Sequence, residues 1–571
     1  MRLGILFLLP GLALGIGCGT PPIATLSLLP ATSSGRIEAA VRLPRAARLR
    51  LAWRPATGKP LLRLPRVQVW LQREGAKGEL LRDIPFAAGK AEMSATIDLG
   101  GHAGETCLLR ATTGPLPVAW ERADLIGGGG FFGPARPGDW RVKPRRGAHD
   151  VVVYLIDTLR PDVLGTYGGP GPTPTIDRLA AGGTAFERAY STTSWTRPAV
   201  ASLFTALSVA AHRVENEKFA LPEGVLTLAE RFRLRGYQTV GVVANGHVFH
   251  GFNFDQGFES YDELRILPTE SSPWAPDLET TNITAAQVHA LALRRLARDR
   301  DPRRPLFLYI QTVDPHSPYH PPEWLLEPPR PAVNSNNFLL RSINEANGAT
   351  PRVLRELALS YRGAVVYADR ELGKFLTALG ARVDLGRAIL AVTSDHGEGF
   401  FEHHLIGHRH WVYEEMIRIP LILHGPGVPA GRRDVAPASL ADVGPTLIGL
   451  ADRAAAPGPG NGLLADPASR RDESIHAEFH QGTAVVRGEW KLTYHPDYPE
   501  RLRFALFNLR RDPGESIDLY QQQPAIARSL EDDFRAWSAA ARKSAVEPLP
   551  VDVGALEPHL LQNLRALGYL R

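Results

Sequence analysis

Cysteine is nearly absent from this chain: Cys18 and Cys107 are the only two in 571 residues. So small a complement excludes a disulfide-stapled scaffold, and the fold must rest on its hydrophobic core. Charge of one sign is not concentrated anywhere either. The formal charge is +5, yet 65 basic residues are scattered among 60 acidic ones. No Lys/Arg stripe suited to a nucleic-acid backbone results, and nucleic acid is set aside as a partner. The mildly basic balance favours anionic substrates or an anionic membrane surface. No internal repeat is evident.

What is present begins at the N-terminus. In MRLGILFLLPGLALGIGCGT, Arg2 supplies a positive start, Leu3 to Ile16 an apolar stretch, and small residues lead to Cys18. The stretch is too short and too broken by Gly and Pro for a comfortable membrane span. Residues 1–18 therefore read as an export signal. Small residues ending at a Cys resemble the bacterial lipobox, although Gly15 stands where Leu is usual. This predicts an exported lipoprotein, periplasmic or at the outer membrane or cell surface of a bacterium, held by an N-terminal lipid anchor. A cleaved soluble signal and an uncleaved anchor are the other readings. With Cys18 acylated, no intrachain disulfide can form.

Residues 19–125 show period-two alternation, as in RLRLAWR and VQVWLQRE, which predicts a β-rich domain, a small sandwich of antiparallel strands. Nothing in it carries chemistry, and a spacer or packing role is expected. A Gly-, Pro- and Arg-rich linker follows over 126–147. The texture then changes. DVVVYLID (150–157), QTVGVVAN (238–245), PLFLYIQTVD (305–314) and GRAILAVTSD (386–395) are continuous apolar runs, as strands buried on both faces are. Between them PTIDRLAAGG, TLAERFRLRG and PRVLRELALSYRGAVVYADRELGKFLTALG are amphipathic and end at Gly, as helices do. The prediction is an α/β fold over 148–455, a doubly wound, mostly parallel sheet flanked by helices. A small C-terminal α+β subdomain (456–571) carries the helix PAIARSLEDDFRAWSAAARK.

Each apolar run is followed by chemistry. The first ends at Asp157, the second at Asn245 with His247 beyond it, the third at Asp314 with His316, the fourth at Asp395 with His396. Ligands of open α/β sheets bind outside the carboxyl ends of the strands, so four strands deliver these groups to one edge. One such Asp is ordinarily a turn former; four together are hard to attribute to turns. Thr196, in STTSWTRPAVASLFTAL, belongs with them. Pro198 suits the first turn of a helix, leaving Thr196 or Arg197 just before it. Thr196 is then either a helix cap or a nucleophile at the helix's positive end, with a metal as its activator. Mixed oxygen and nitrogen ligands suit Mn²⁺ or Zn²⁺ better than Ca²⁺.

These residues carry a resemblance. LIDTLRPDVLGTYGG, TPTIDRLAAGGTAFERAYSTTSWTRPAVASLFTAL, VDPHSPYHPP, TSDHGEGFFEHHLIGHRHWVYEEMIRIPLILHGPG and DVGPTLIGLA together resemble the sulfatase family of the alkaline phosphatase superfamily. The tail phrases LFNLRRDPGE and LRALGYL add to it, so the likeness spans about 150–571 with motif order and spacing preserved. It implies Asp157, Asp395 and His396 as ligands of one divalent metal, with Thr196 beside them at the nucleophile position. It implies that His316 contacts the transferred group or the leaving oxygen. His408 falls near a substrate-binding Lys and His247 near a second substrate histidine. Glu402 and His403 would support the ligands from behind, and His212 reads as structural.

The departures from the pattern are informative. Sulfatases place Cys or Ser at the nucleophile, followed by x-Pro-x-Arg, and convert it to formylglycine. Here the segment reads Thr196-Arg197-Pro198-Ala199-Val200, so formylglycine is not expected. Asn245 stands where many members have a substrate-binding Lys, and Ile156 replaces the first of two paired Asp residues. Thr with an Asp-His pair is more similar to the phosphoethanolamine and glycerolphosphate transferases of the superfamily. The resemblance therefore implies a metal-dependent hydrolase or transferase of an anionic sulfate or phosphate (di)ester, with His316 or His408 as general acid. A non-catalytic binding or scaffold protein of the cell envelope is the alternative.

Overall fold

Strands without a polar face must be covered on both sides, and this requirement organises the molecule. A computed structural model describes residues 144–264, 283–319, 348–409, 411–452, 462–479 and 482–551, with separate stretches between 23 and 142 and between 321 and 346, and residue 561. The expected export signal and lipid site at 1–18, and most of the linker, lie outside the described residues.

The main sheet has eight strands: β1 Val151–Ile156, β2 Thr184–Phe186, β3 Gln238–Val243, β4 Ser260–Glu263, β5 Leu306–Thr312, β6 Ile389–Thr393, β7 Leu421–His424 and β8 Arg432–Asp434. Their order is β4-β3-β5-β1-β6-β7-β2-β8. The first five in that order run parallel; β7 is antiparallel to β6 and to β2, and β8 is parallel to β2. The fold class is thus the one the apolar runs predict.

Alternation along β1 divides the interior in two. Val151, Val153 and Leu155 enter one core with Phe204, Leu228 and Phe232; Val152, Tyr154 and Ile156 enter the other with Leu357, Leu372 and Phe375. Burying each such side chain contributes about 1.5–3 kcal/mol, which explains why no residue of this strand is polar. The helices that supply the two covers are α1 Pro174–Ala181, α2 Thr196–Thr205, α3 Leu228–Arg233, α4 Ala285–Asp299 and α5 Pro351–Leu379. Their starts are written in the sequence. Thr227 accepts from Glu230 N while Glu230 accepts from Thr227 N, a complete capping box. Thr350 caps α5 ahead of Pro351.

The C-terminal subdomain is a meander, β9 Ile475–Phe479, β10 Gly482–Arg487, β11 Trp490–Tyr494 and β12 Phe504–Asn508, covered by α6 Pro524–Lys543. Ile475, Ala477 and Phe479 share a core with Tyr190 and Trp195, so this subdomain buttresses the residue just before Thr196.

The N-terminal region forms two four-stranded antiparallel sheets, and its last strand, Val118–Gly128, runs three residues into the expected linker. On Arg66–Gln72 the inward residues Val67, Val69 and Leu71 are fully buried, as the alternation predicts. On Thr106–Thr112 every residue from Cys107 to Ala111 is buried, because this strand also packs against the α/β domain. Leu108 clusters with Leu226 and Leu234. Arg110 pairs with Glu230 of α3 and donates to the carbonyl of Glu223.

Candidate active site

The parallel strands β1, β3, β5 and β6 end at one edge, and each is followed within two residues by Asp157, Asn245, Asp314 or Asp395. Three of these groups meet; Asp314 does not. Its carboxylate accepts from the backbone N of Ala285 at 2.6 Å and caps α4, and burial pushes its pKa up to about 7. For this residue the turn-and-cap role holds, not the ligand role.

Asp157, Asp395, His396 and Thr196 are fully buried together. Asp157 Oδ1 and Asp395 Oδ2 lie 3.7 and 3.6 Å from His396 Nε2, and Thr196 Oγ1 lies 3.1 Å from the same nitrogen. His396 Nδ1 faces the carbonyl of Gly397 at 2.9 Å. A carbonyl only accepts, so Nδ1 carries the proton and Nε2 presents a lone pair to the cluster. The remaining carboxylate oxygens are committed: Asp395 Oδ1 accepts from the backbone N of Thr158 and His396, and Asp157 Oδ2 accepts from Asn245 Nδ2 at 2.6 Å. Asp157 Oδ1 and Asp395 Oδ2 are buried without a hydrogen-bond partner. Two orphaned carboxylate oxygens and an imidazole lone pair within 4.8 Å of one another could hold a divalent cation in a mixed O/N donor set. Burial, and then the neighbouring Asp395, hold the Asp157 carboxyl well above the usual carboxylate range. A bound cation would reverse that penalty.

Thr196 is not the helix cap. Trp195 occupies that position in an extended conformation, and Thr196 is the first residue of α2, its hydroxyl turned to His396 rather than to the helix's own N–H groups. Thr158, just past Asp157, holds a left-handed backbone (φ 57°) that directs its N–H at Asp395. Such strain in a β-branched residue costs about 1–3 kcal/mol.

The family pattern puts Asn245 on the substrate side. Its Nδ2 instead donates to Asp157 and stands 3.5 Å from Thr196 Oγ1, while its Oδ1 accepts from His247 N, which fixes the amide's orientation. His247 is fully buried, with Nδ1 2.8 Å from Arg197 Nη2 and its ring edge-on to Trp195. His316, His408 and His396 form a row, with ring centroids 4.9 and 4.6 Å apart. His316 Nδ1 donates to the carbonyl of Ser317, and burial lowers its pKa to about 4. The neutral ring therefore presents its Nε2 lone pair. His408 Nδ1 lies 3.2 Å from Glu398 Oε1. Glu398 is fully buried beside Tyr319, and burial pushes its carboxyl up to about 8.

Glu402 and His403 do not reach the cluster. Glu402 binds Arg160 at 2.6 Å, and His403 pairs with Glu415 at 2.7 Å and stacks on Tyr413. His212 is buried against Ser202. Sequence reasoning missed Glu398 and Arg197. Glu398 follows Asp395-His396 by two residues, a signal available in SDHGE; nothing local marks Arg197 as reaching His247, fifty residues away.

This geometry has counterparts. The family model described as Sulfatase matches residues 149–453, and the chain belongs to the sulfatase family. It is a hydrolase of that metal-dependent family. It is 25% identical over 452 residues to an arylsulfatase of Clostridium perfringens, covering 66% of this chain and 90% of that protein. To a choline-sulfatase of Rhizobium meliloti it is 24% identical over 471 residues, covering 70% and 90%. Among solved structures, the phosphonate monoester hydrolase of Agrobacterium radiobacter superposes with a TM-score of 0.56 at 20% identity, over 69% of this chain and 96% of that one; this likeness bears on the fold.

Proposed function

We propose that this protein hydrolyses or transfers an anionic ester through unmodified Thr196, with a phosphate mono- or diester as the favoured class and a sulfate ester second. One observation carries the reading: the Thr196 hydroxyl lies 3.1 Å from His396 Nε2, beside the Asp157–Asp395–His396 cluster. Asp157, Asp395 and His396 would hold a divalent ion, Mn²⁺ or Zn²⁺ in preference to Ca²⁺, which would supply Lewis acidity to lower the Thr196 pKa and to screen the ester's oxygens.

The chain's own residues do the rest. Asn245 orients Asp157, and Thr158 and His396 N–H groups orient Asp395, so Thr196 Oγ1 is held for in-line attack. Having given up its proton to solvent, the Thr196 oxygen bonds to the ester's central atom as the bond to the leaving oxygen breaks, and that leaving oxygen takes a proton from His408, whose Nδ1 rests on Glu398. Water or an acceptor hydroxyl then attacks the central atom, returns its proton to His408 and releases Thr196. A phosphothreonine can be resolved in this way. A sulfated threonine lacks the aldehyde-forming exit that formylglycine has, which favours phosphorus over sulfur. His247 faces the transferred group as a hydrogen-bond donor, and His316 lies beside His408 as a proton acceptor.

Assays of nitrophenyl phosphate, a nitrophenyl phosphodiester and nitrophenyl sulfate with added Mn²⁺ or Zn²⁺ test this beside Thr196→Ala. Unchanged turnover in Thr196→Ala removes the nucleophile; a mass gain of one phosphoryl group mapped to Thr196 supports it. Tight metal binding without turnover of any ester makes the protein a non-catalytic scaffold instead. We further propose export by residues 1–18 and lipid attachment at Cys18, which the mass of the mature N-terminal peptide checks.

A further inference from the structure

Arg197 is a long cationic side chain with no solvent exposure, immediately after the nucleophile position. Its guanidinium closes on His247 from two directions. Nε donates to the His247 carbonyl at 3.2 Å and Nη2 lies 2.8 Å from His247 Nδ1. Nη1 donates to the carbonyl of Glu217 at 2.9 Å, and the guanidinium carbon lies 3.4 Å from the centre of the Phe252 ring. The imidazole is held on its other sides too. Asn245 Oδ1 accepts from His247 N, and the ring meets Trp195 edge-on with centroids 5.2 Å apart.

The chemistry of this clamp has one reading. A guanidinium is always protonated and can only donate. His247 Nδ1 must therefore be the acceptor, and the ring's proton resides on Nε2. A second proton cannot be placed on Nδ1 without expelling Arg197. We propose that Arg197 is a positioning residue that locks His247 as a neutral Nε2–H donor, so that His247 stabilises anionic oxygen of the ester without itself exchanging protons. The same arginine neighbours Thr196 in the chain and grips the loop that carries His247, so donor and nucleophile share one rigid frame. Donors fixed before reaction act most strongly where charge develops, in the transition state. Asn245, which accepts from His247 N, also donates to Asp157 and stands 3.5 Å from Thr196 Oγ1, which places His247 beside the nucleophile.

The catalytic consequence rests on the function proposed above; the tautomer does not, and the two are tested separately. In full-length protein with ring-¹⁵N histidine, two-bond ¹⁵N–¹H correlation spectra with His247→Gln as the assignment control are expected to show His247 as the Nε2–H form, unchanged between pH 5.5 and 8.5. Arg197→Met is expected to convert it to a mixture of tautomers that titrates, and Arg197→Lys, which still only donates, to retain the Nε2–H form. In kinetics, Arg197→Met and His247→Gln should each lower kcat by on the order of 100-fold with a smaller change in KM, and the double variant should lose no more than either alone. An Nδ1–H tautomer in the unmodified protein, a titrating His247 there, an unaltered tautomer in Arg197→Met, or additive losses would overturn the proposal. If Arg197→Met does not fold, the spectrum of the unmodified protein and of Arg197→Lys still decides it. Activity that survives Thr196→Ala, with the tautomer as stated, would overturn the nucleophile and leave the clamp standing.

Discussion

The metal cluster should make the protein less stable than it would be without one of its carboxylates. The ligand oxygens of Asp157 and Asp395 lie within 4.8 Å of each other, so two full charges there repel by about 3.5 kcal/mol at an effective dielectric constant of 20. An Asp157→Asn side chain fits the space: its amide oxygen still accepts from Asn245, and its amide nitrogen points toward the His396 lone pair. In the presence of EDTA, Asp157→Asn is expected to be more stable than the unmodified protein by about 1–3 kcal/mol, a part of that repulsion. The pH dependence has a definite sign. Burial raises the folded-state pKa of Asp157, and of Glu398 to about 8. Folded protein then binds more protons than unfolded chain above the ordinary carboxylate range, so metal-free stability falls as pH rises from there through about 8. Asp157→Asn should flatten this slope. Metal at 100 times its dissociation constant should restore about 2.7 kcal/mol to the unmodified protein and little to the variant. Thermal melts from pH 5 to 9, with EDTA or Mn²⁺, measure all of this. A variant that melts lower than the unmodified protein in EDTA at pH 8, or that gains equally from Mn²⁺, refutes the assignment.

Other outcomes follow from the geometry. Thr196→Ala should reduce turnover by on the order of 10⁴-fold or more, whereas Thr196→Ser keeps the hydroxyl and most of the rate; steady-state kinetics on one phosphate ester compares them. Glu398→Gln should lower kcat by on the order of 100-fold with KM nearly unchanged, because an amide cannot exchange a proton with His408 Nδ1 as the carboxyl can; a rise in KM alone would count against it. Glu230→Gln removes the buried carboxylate that pairs with the Arg110 guanidinium and should destabilise by about 3–5 kcal/mol in chemical denaturation.

Much of this was legible in the chain because its causes are local or periodic. Continuous apolar runs gave β1, β3, β5 and β6, since strands covered on both faces are built mainly from apolar residues. Amphipathic runs ending at Gly gave α1, α3 and α5. Asp157, Asp395 and His396 were readable because strand ends converge in this architecture. What escaped depends on distance and orientation. Asp314 and Asp395 follow their strands in the same manner, and only the packing of α4 makes the first a cap. Thr196 and Trp195 are neighbours, and the choice of cap is set by the subdomain that packs on Trp195. The proton position on His316 is set by a neighbouring carbonyl, which no residue spacing discloses.

The strand ends that build the cluster are far apart in the chain: Thr196 reaches His396 across 200 residues, and Thr158 reaches Asp395 across 237. A growing chain that has exposed Asp157 and Thr196 still lacks Asp395 and His396. Half a site offers a single carboxylate, which has no selectivity among divalent ions. Metal selection is thereby postponed until the last strand of the parallel set is in place, and it occurs in whichever compartment folding is completed.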